Sequence, residues 1–245
     1  MAKRISAIAL AILSALPVAC GFETFAKTDS DLINGENIAS EWEDTDRYSK
    51  LSTKGPDSVT METGDTFRIR ADGSPAVLKD LRFVVKDDVL TVGRVSKKWS
   101  DTDSDFATIH ITAPALSAVS LSGSGKVKIA TLSGAETKAS IAGSGDAEIA
   151  MVKSENFVAS IAGSGNTRVQ GNSAKAKYSI AGSGNLDASN MMVSDAQISI
   201  AGSGAAKILA SGSVKANIAG SGDVTVTGGA KCTSSVAGSG KVNCS

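Results

Sequence analysis

Asp146 and Glu148 lie two residues apart, and Arg168 and Asp187 occupy the place of Glu148 in the next two copies of a repeated pattern. Alternate residues of a strand share one face, so the two carboxylates project together. A carboxylate pair with a basic neighbour is the chemistry of glycoside hydrolysis, one group giving a proton and the other acting as base or nucleophile. His110 is the single histidine of the chain, which rules out a multi-histidine metal centre and argues against a Ser-His-Asp hydrolase. It alternates with Ile109 and Ile111 and is expected to point outward as a surface histidine, with no acid or nucleophile identifiable as its partner. Lys138, Lys177 and Lys215 recur at one outward position in alternate repeats. They read as a weakly basic stripe for an anionic glycan or as solvated lysines that blunt a sheet.

Charge and motif spacing narrow the classes further. Lys+Arg and Asp+Glu are both 25, so no positive field exists to hold nucleic acid through its phosphates. Gly-Ser-Gly recurs along the chain but is followed by no Gly-Lys-Ser/Thr and opens strands, so it is not a phosphate loop. A calcium roll needs a nine-residue period with Asp after the glycines. Here the residues after the second Gly are Lys126, Asp146, Asn166, Asn185, Ala205, Asp223 and Lys241. No cofactor and no metal is expected.

The elements that carry these residues come from the repeat itself. Gly-Ser-Gly occurs at 123–125, 143–145, 163–165, 182–184, 202–204, 220–222 and 238–240. Two residues before the first Gly lie Leu121, Ile141, Ile161, Ile180, Ile200, Ile218 and Val236, and two after the second lie Val127, Ala147, Thr167, Leu186, Ala206, Val224 and Val242. Strict apolar alternation on both sides of a glycine turn predicts strand, turn, strand. An 18–20-residue unit cannot bury its apolar side alone, so the copies must stack as coils of a solenoid. A left-handed hexapeptide helix needs an apolar residue every six, which only the last two steps of 18 fit. The fold expected is all-β: a parallel β-helix of about seven coils, preceded by strand-rich opening coils with strands near 57–62, 65–71, 81–86, 88–93 and 106–112.

In a parallel, in-register stack Lys128, Glu148, Arg168, Asp187 and Lys207 become neighbours of alternating sign, and Lys126 lies over Asp146. Each opposite-charge neighbour is worth roughly 0.2–1 kcal/mol, and a slipped register would juxtapose like charges. This ladder is the competing account of the carboxylate pair. Its face is expected to be flat, with no aromatic platform for sugar rings. Three before the first Gly, the row Ser120, Ser140, Ser160, Ser179, Ser199, Asn217 and Ser235 is expected to point outward.

The ends of the chain speak to compartment. Lys3 and Arg4, the apolar run Ile5 to Leu16, and Pro17-Val18-Ala19-Cys20 read as a signal peptide over 1–20. Cys20 is placed as a lipidation site by a degenerate lipobox, Leu16 to Cys20. The other reading is an ordinary secretory signal cut near Gly21 or Ala26. Residues 21–46 are polar and acidic and read as a tether. Residues 47–245 form a single domain. Export permits disulfides. Cys232 and Cys244 both fall at inward positions around the last glycine turn, so a disulfide stapling the final coil is expected, the alternative being two buried thiols. The last coil has no evident cap, which suggests association into a homo-oligomer.

The motif Ser-Ile-Ala-Gly-Ser-Gly (Ser140–Gly145, Ser199–Gly204), the Val-Leu-Thr-Val strand (Val89–Val92), Thr-Ala-Pro (Thr112–Pro114) and the run Leu116–Gly125 together resemble the bacterial auto-transporter adhesin head GIN domain family. The resemblance spans roughly residues 47 to 245. It implies a right-handed parallel β-helix in an envelope or surface protein, and it carries no catalytic residues with it. The function expected is that of a non-catalytic exported protein of the periplasm, outer membrane or cell surface, adhesin-like or scaffolding. Its partner would be a surface glycan or protein, and it would meet the membrane only through a lipid anchor. The alternative is a carbohydrate-active β-helix enzyme cutting acidic polysaccharide through Asp146 and Glu148.

Overall fold

A computed structural model describes residues 32–37, 42–44, 47–95 and 105–245. Its repeats form a parallel β-solenoid of about 6 turns, bounded by the seven Gly-Ser-Gly corners. The strands are β1 (Glu36–Asn37), β2 (Trp42–Asp44), β3 (Lys50–Lys54), β4 (Ser58–Thr63), β5 (Phe67–Asp72), β6 (Leu81–Lys86), β7 (Val89–Arg94) and β8 (Thr108–Ala113) in the opening region. The solenoid continues through β9 (Ala118–Gly123), β10 (Lys126–Ile129), β11 (Leu132–Gly143), β12 (Asp146–Gly163), β13 (Asn166–Gly182), β14 (Asn185–Gly202), β15 (Ala205–Gly220), β16 (Asp223–Thr227), β17 (Lys231–Gly238) and β18 (Lys241–Cys244). One short helix, α1 (Pro75–Asp80), precedes β6.

Each coil was expected as two strands around a turn. From β12 to β15 each strand instead runs on for 16–18 residues between Gly-Ser-Gly corners, with shifts of pairing register inside it. The corner geometry explains the glycines. The Gly143 carbonyl accepts from Ser164 N at 2.9 Å and Gly165 N at 3.1 Å, one rung along the stack. That approach leaves no room for a side chain.

Unequal repeat lengths are absorbed away from the corner. Between β12 and β13 the pairing passes from Ile149↔Val169 to Val152↔Gly171, which drops one residue. Between β14 and β15 shifts at Ala188/Met192 and Val193/Asp195 together drop two. The strands flanking Gly-Ser-Gly keep their register, as Lys128↔Glu148, Glu148↔Arg168, Arg168↔Asp187 and Asp187↔Lys207 show. A one-residue slip would turn the buried row Ile141, Ile161 and Ile180 outward, which accounts for this constancy.

The interior is filled by rows of Ile, Val, Leu and Ala such as Leu121, Ile141, Ile161, Ile180, Ile200 and Ile218, all buried. Each aliphatic side chain taken from water contributes roughly 1.5–3 kcal/mol. The two aromatics of the repeats meet inside, Phe157 and Tyr178 packing edge to face at 6.1 Å between ring centroids. Phe157 stacks on Ala176 and Tyr178 on Ala159, large against small, so both rings fit a narrow core. Burial pushes the Tyr178 phenol pKa up. Thr137, Ser154 and Ser173 satisfy one another through hydroxyl contacts of 3.0 and 3.2 Å.

Thr167, on an inward row between Ala147 and Leu186, has a buried hydroxyl with no hydrogen-bond partner. An unpaired buried hydroxyl costs about 1–3 kcal/mol. Thr167→Val keeps the shape, so it is expected to raise the stability by about 1 kcal/mol in chemical denaturation. An unchanged or lowered midpoint would show that the hydroxyl is satisfied.

The opening region supplied the five expected strands and three more, β1, β2 and β3. β3 escapes the sequence pattern because Leu51 is its only apolar residue. Stacking order here departs from chain order. β3 pairs in parallel with both β7 and β9, and β4 with both β8 and β10. The first coil of the chain thus lies between the coil of β7–β8 and that of β9–β10. Antiparallel β5 and β6 pair with β8 and β7 and, with α1, close the N-terminal end. Tyr48 packs on Phe67 at 4.8 Å, and Phe83 and Val77 are buried there. Asn37 Nδ2 donates to the Lys79 carbonyl at 2.9 Å, tying residues 36–37 to the last turn of α1. Behind this cap Asp57 is buried and paired with Arg94, whose Nε donates to Asp57 Oδ2 at 2.7 Å. Asp57 Oδ1 also accepts from Ala107 N at 2.8 Å.

The serine row departs from expectation. Ser120, Ser140, Ser160 and Ser179 lie on the strand face opposite the core but are buried, and the row opens only from Ser199 onward. A serine hydroxyl barely clears the backbone, and rungs about 4.8 Å above and below shield it.

Candidate functional site

The first segment of each coil after Gly-Ser-Gly carries outward residues at its first and third positions. Stacking turns these into two parallel rows, Lys126–Asp146–Asn166–Asn185–Ala205 and Lys128–Glu148–Arg168–Asp187–Lys207. The face is not flat as expected. It is a groove of about 680 Å³ lined by both rows. No aromatic side chain lines it.

Asp146 and Glu148 are brought together here with Arg168 and Asp187. Glu148 lies 3.8 Å from Lys128 Nζ, and Asp187 lies 3.5 Å from Arg168 Nε. All four side chains remain substantially exposed, at 39–64%, so each pair contributes at most about 1 kcal/mol. Asp187 is held below the usual carboxylate range, first by the Ser189 hydroxyl, which donates at 2.6 Å, and further by the Ser189 N–H, Arg168 and Lys207.

The other row is a hydrogen-bonded ladder. Asn166 Nδ2 donates to Asp146 Oδ1 at 3.0 Å, Asn185 Nδ2 donates to Asn166 Oδ1 at 3.0 Å, and Ala205 N donates to Asn185 Oδ1 at 3.2 Å. Asp146 therefore engages Asn166, although Lys126 is its register neighbour. The two asparagines were passed over as candidates. Their common place after the second Gly was the available signal, since equal repeat positions stack.

His110 does have an acid partner. Antiparallel pairing of β5 on β8 sets its Nε2 3.2 Å from Asp72 Oδ2. Nothing in the sequence marks this pair, because β5 is not part of the repeat. The Lys138, Lys177 and Lys215 row forms as expected, with Val158 and Gln197 between its members. Lys138 meets Glu136 at 3.0 Å, so the stripe is partly neutralised. Among the described residues no group of three His, Cys, Asp or Glu could hold a metal. Cys20 and the signal region lie outside the described residues.

Cys232 and Cys244 form a disulfide, S–S 2.00 Å, across the last coil. Their inward neighbours one rung back are Val214 and Val226, so the bond joins two walls of the interior. Closing so short a loop stabilises by about 3 kcal/mol. Cys232→Ser/Cys244→Ser is expected to lower stability by about 2–4 kcal/mol, with fraying confined to β16–β18 by hydrogen exchange. Equal exchange in both forms would contradict the stapling role.

The comparisons with known proteins agree with this architecture. The family described as "Putative auto-transporter adhesin, head GIN domain" matches residues 47–230. A crystal structure described as a putative adhesin of Bacteroides fragilis NCTC 9343 superposes with a TM-score of 0.74 at 19% identity, covering 85% of this chain and 99% of that one. One from Parabacteroides merdae ATCC 43184, also a putative adhesin, gives 0.64 at 23% identity over 84% of this chain and 95% of that one. A putative lipid binding protein of Parabacteroides distasonis ATCC 8503 gives 0.63 at 21% identity over 86% and 98%. At these identities the likeness concerns the fold. No curated protein matches the sequence. A family match over most of the chain, with the solenoid it requires, places this protein in the auto-transporter adhesin head GIN domain family.

Proposed function

We propose that this is a non-catalytic, adhesin-like protein, exported to the envelope or cell surface, that engages a surface glycan or protein along its charged groove. The observation that carries this reading is how the groove's carboxylates are held. A glycosidase needs one carboxyl kept protonated near neutral pH, which requires its pKa to be raised. Asp187 is shifted the other way by its Ser189 hydrogen bond; as to geometry alone, Asp146 and Glu148 line an open face, one hydrogen-bonded to Asn166 and the other beside Lys128, with no aromatic side chain along the groove to seat a sugar ring. These are arrangements of a charged recognition surface. The family description and the adhesin names of the structural neighbours point in the same direction.

Export rests on the leader at 1–20, with Cys20 as the proposed lipid anchor. Fractionation and protease shaving of cells expressing the full tagged chain test it. The chain is expected in the envelope and accessible from outside, with fatty-acid label lost in Cys20→Ser. Confinement to the cytoplasm would overturn the reading. Fluorescent wild-type protein is expected to decorate intact bacterial or host cells saturably, and no saturable binding to any surface would overturn the adhesin-like role.

A further inference from the structure

The sign of charge along the groove has a period, and that period has a length. Lys128, Arg168 and Lys207 occupy every second rung, with Glu148 and Asp187 between them. Rungs of parallel strands are about 4.8 Å apart, so the cations recur at about 9.6 Å. That is close to the length of one disaccharide in an extended β-linked glycan. We propose that the groove takes a linear glycan with one carboxylate per disaccharide, laid along the rod with successive acids on Lys128, Arg168 and Lys207.

This inference rests on the binding role proposed above and names its ligand class. The intervening rungs suit the neutral sugars of such a polymer. Glu148 and Asp187 present acceptors to hydroxyl or acetamido N–H groups. Along the parallel row, Asn166 and Asn185 each use one amide N–H in the ladder and retain a second for a sugar oxygen. The existing pairs of Lys128 with Glu148 and Arg168 with Asp187 are exposed. They are therefore weak competitors for the ligand's carboxylates. Lys207 is in no ion pair among the described residues, yet its positive charge reaches Asp187.

Glu148 and Asp187 also provide the discrimination. A polymer with an acid on every sugar would set carboxylates against both of them, and a like-charge contact of that kind rejects the wrong partner. A neutral glycan would leave the three cations without a counter-charge.

The test uses three hexasaccharides, each long enough to reach all three cations, titrated into the purified exported protein by calorimetry. The hyaluronan hexasaccharide has one carboxylate per disaccharide, hexagalacturonate has one per sugar, and cellohexaose has none. Hyaluronan hexasaccharide is expected to bind at least about tenfold more tightly than the other two, with affinity falling as salt rises. Arg168→Glu is expected to weaken it about tenfold or more, and Arg168→Gln by less. Arg168 is exposed, and an unchanged circular dichroism melt would exclude unfolding as the cause. Glu148→Lys is expected to bring hexagalacturonate within about threefold of hyaluronan hexasaccharide. Lys153→Glu, exposed and outside the groove, should leave all three unchanged. Equal binding of hexagalacturonate and hyaluronan hexasaccharide by wild type, indifference to Arg168→Glu, or no binding of any of the three would overturn the proposal. If Arg168→Glu still decorates cells like wild type, this inference fails while the adhesin-like role stands. If wild type decorates no surface, the broader role fails first.

Discussion

Gly163→Ala is expected to destabilise the protein by about 4 kcal/mol or more, or to prevent its accumulation as folded protein. Gly163 sits at φ +128°, where an L side chain is strained whatever the space, and a Cβ there would meet the Gly143 carbonyl oxygen at 2.3 Å. That oxygen cannot withdraw, because it accepts from Ser164 and Gly165. Gly165 would be no safer, its added Cβ meeting the Gly145 oxygen at 2.2 Å. The control is Gly229→Ala. Its φ is also positive, at +78°, but nothing lies within 4 Å of an added Cβ. Its cost is expected to stop at roughly 1–2 kcal/mol, the left-handed backbone term alone. Denaturant midpoints of the two variants separate close approach from backbone conformation. Equal losses would show that backbone conformation, and not rung contact, is what selects glycine at the corner.

Asp57→Ala comes second in size, at about 3–5 kcal/mol. It removes the carboxylate that pairs with the Arg94 guanidinium, only 12% exposed, and it orphans the Ala107 N–H. Arg94→Met alone is expected to be similarly harmful. The double variant Asp57→Ala/Arg94→Met should cost clearly less than the sum, since the second change removes the charge that Asp57 balanced. Additive losses in a double-mutant cycle would mean that the two groups are independently solvated. Unfolding should begin in the opening region, because Asp57 immediately precedes β4 and Arg94 closes β7.

The repeats were readable because each residue's environment is set by its copies. Inward rows, corner glycines, the charge ladder and the cysteine pair all follow from period-two alternation laid on an 18–20-residue step. The opening region resists the same reading. The insertion of β3–β4 between two later coils depends on pairing across 39 to 68 residues of chain, from Lys50↔Val89 to Ser58↔Lys126. The Asp57–Arg94 and Asp72–His110 contacts arise only from that topology. Within the site, the sequence supplied the charges and their order. It did not supply the depth of the face, because alternation assigns residues to a face without fixing its shape, and the two outward rows line a groove. Nor could alternation alone show that the serine row is buried, since it separates the two faces of a strand without saying what closes over either.

That the groove holds a glycan without cutting it is tested most directly by product analysis. Hyaluronan and polygalacturonate would each be incubated with wild type and with Asp146→Ala/Glu148→Ala, and new reducing ends and unsaturated uronates counted over a day. The expected result is no product above buffer with either protein. Fragments that accumulate with wild type and disappear in the double variant would contradict a non-catalytic role and make Asp146 and Glu148 the catalytic pair.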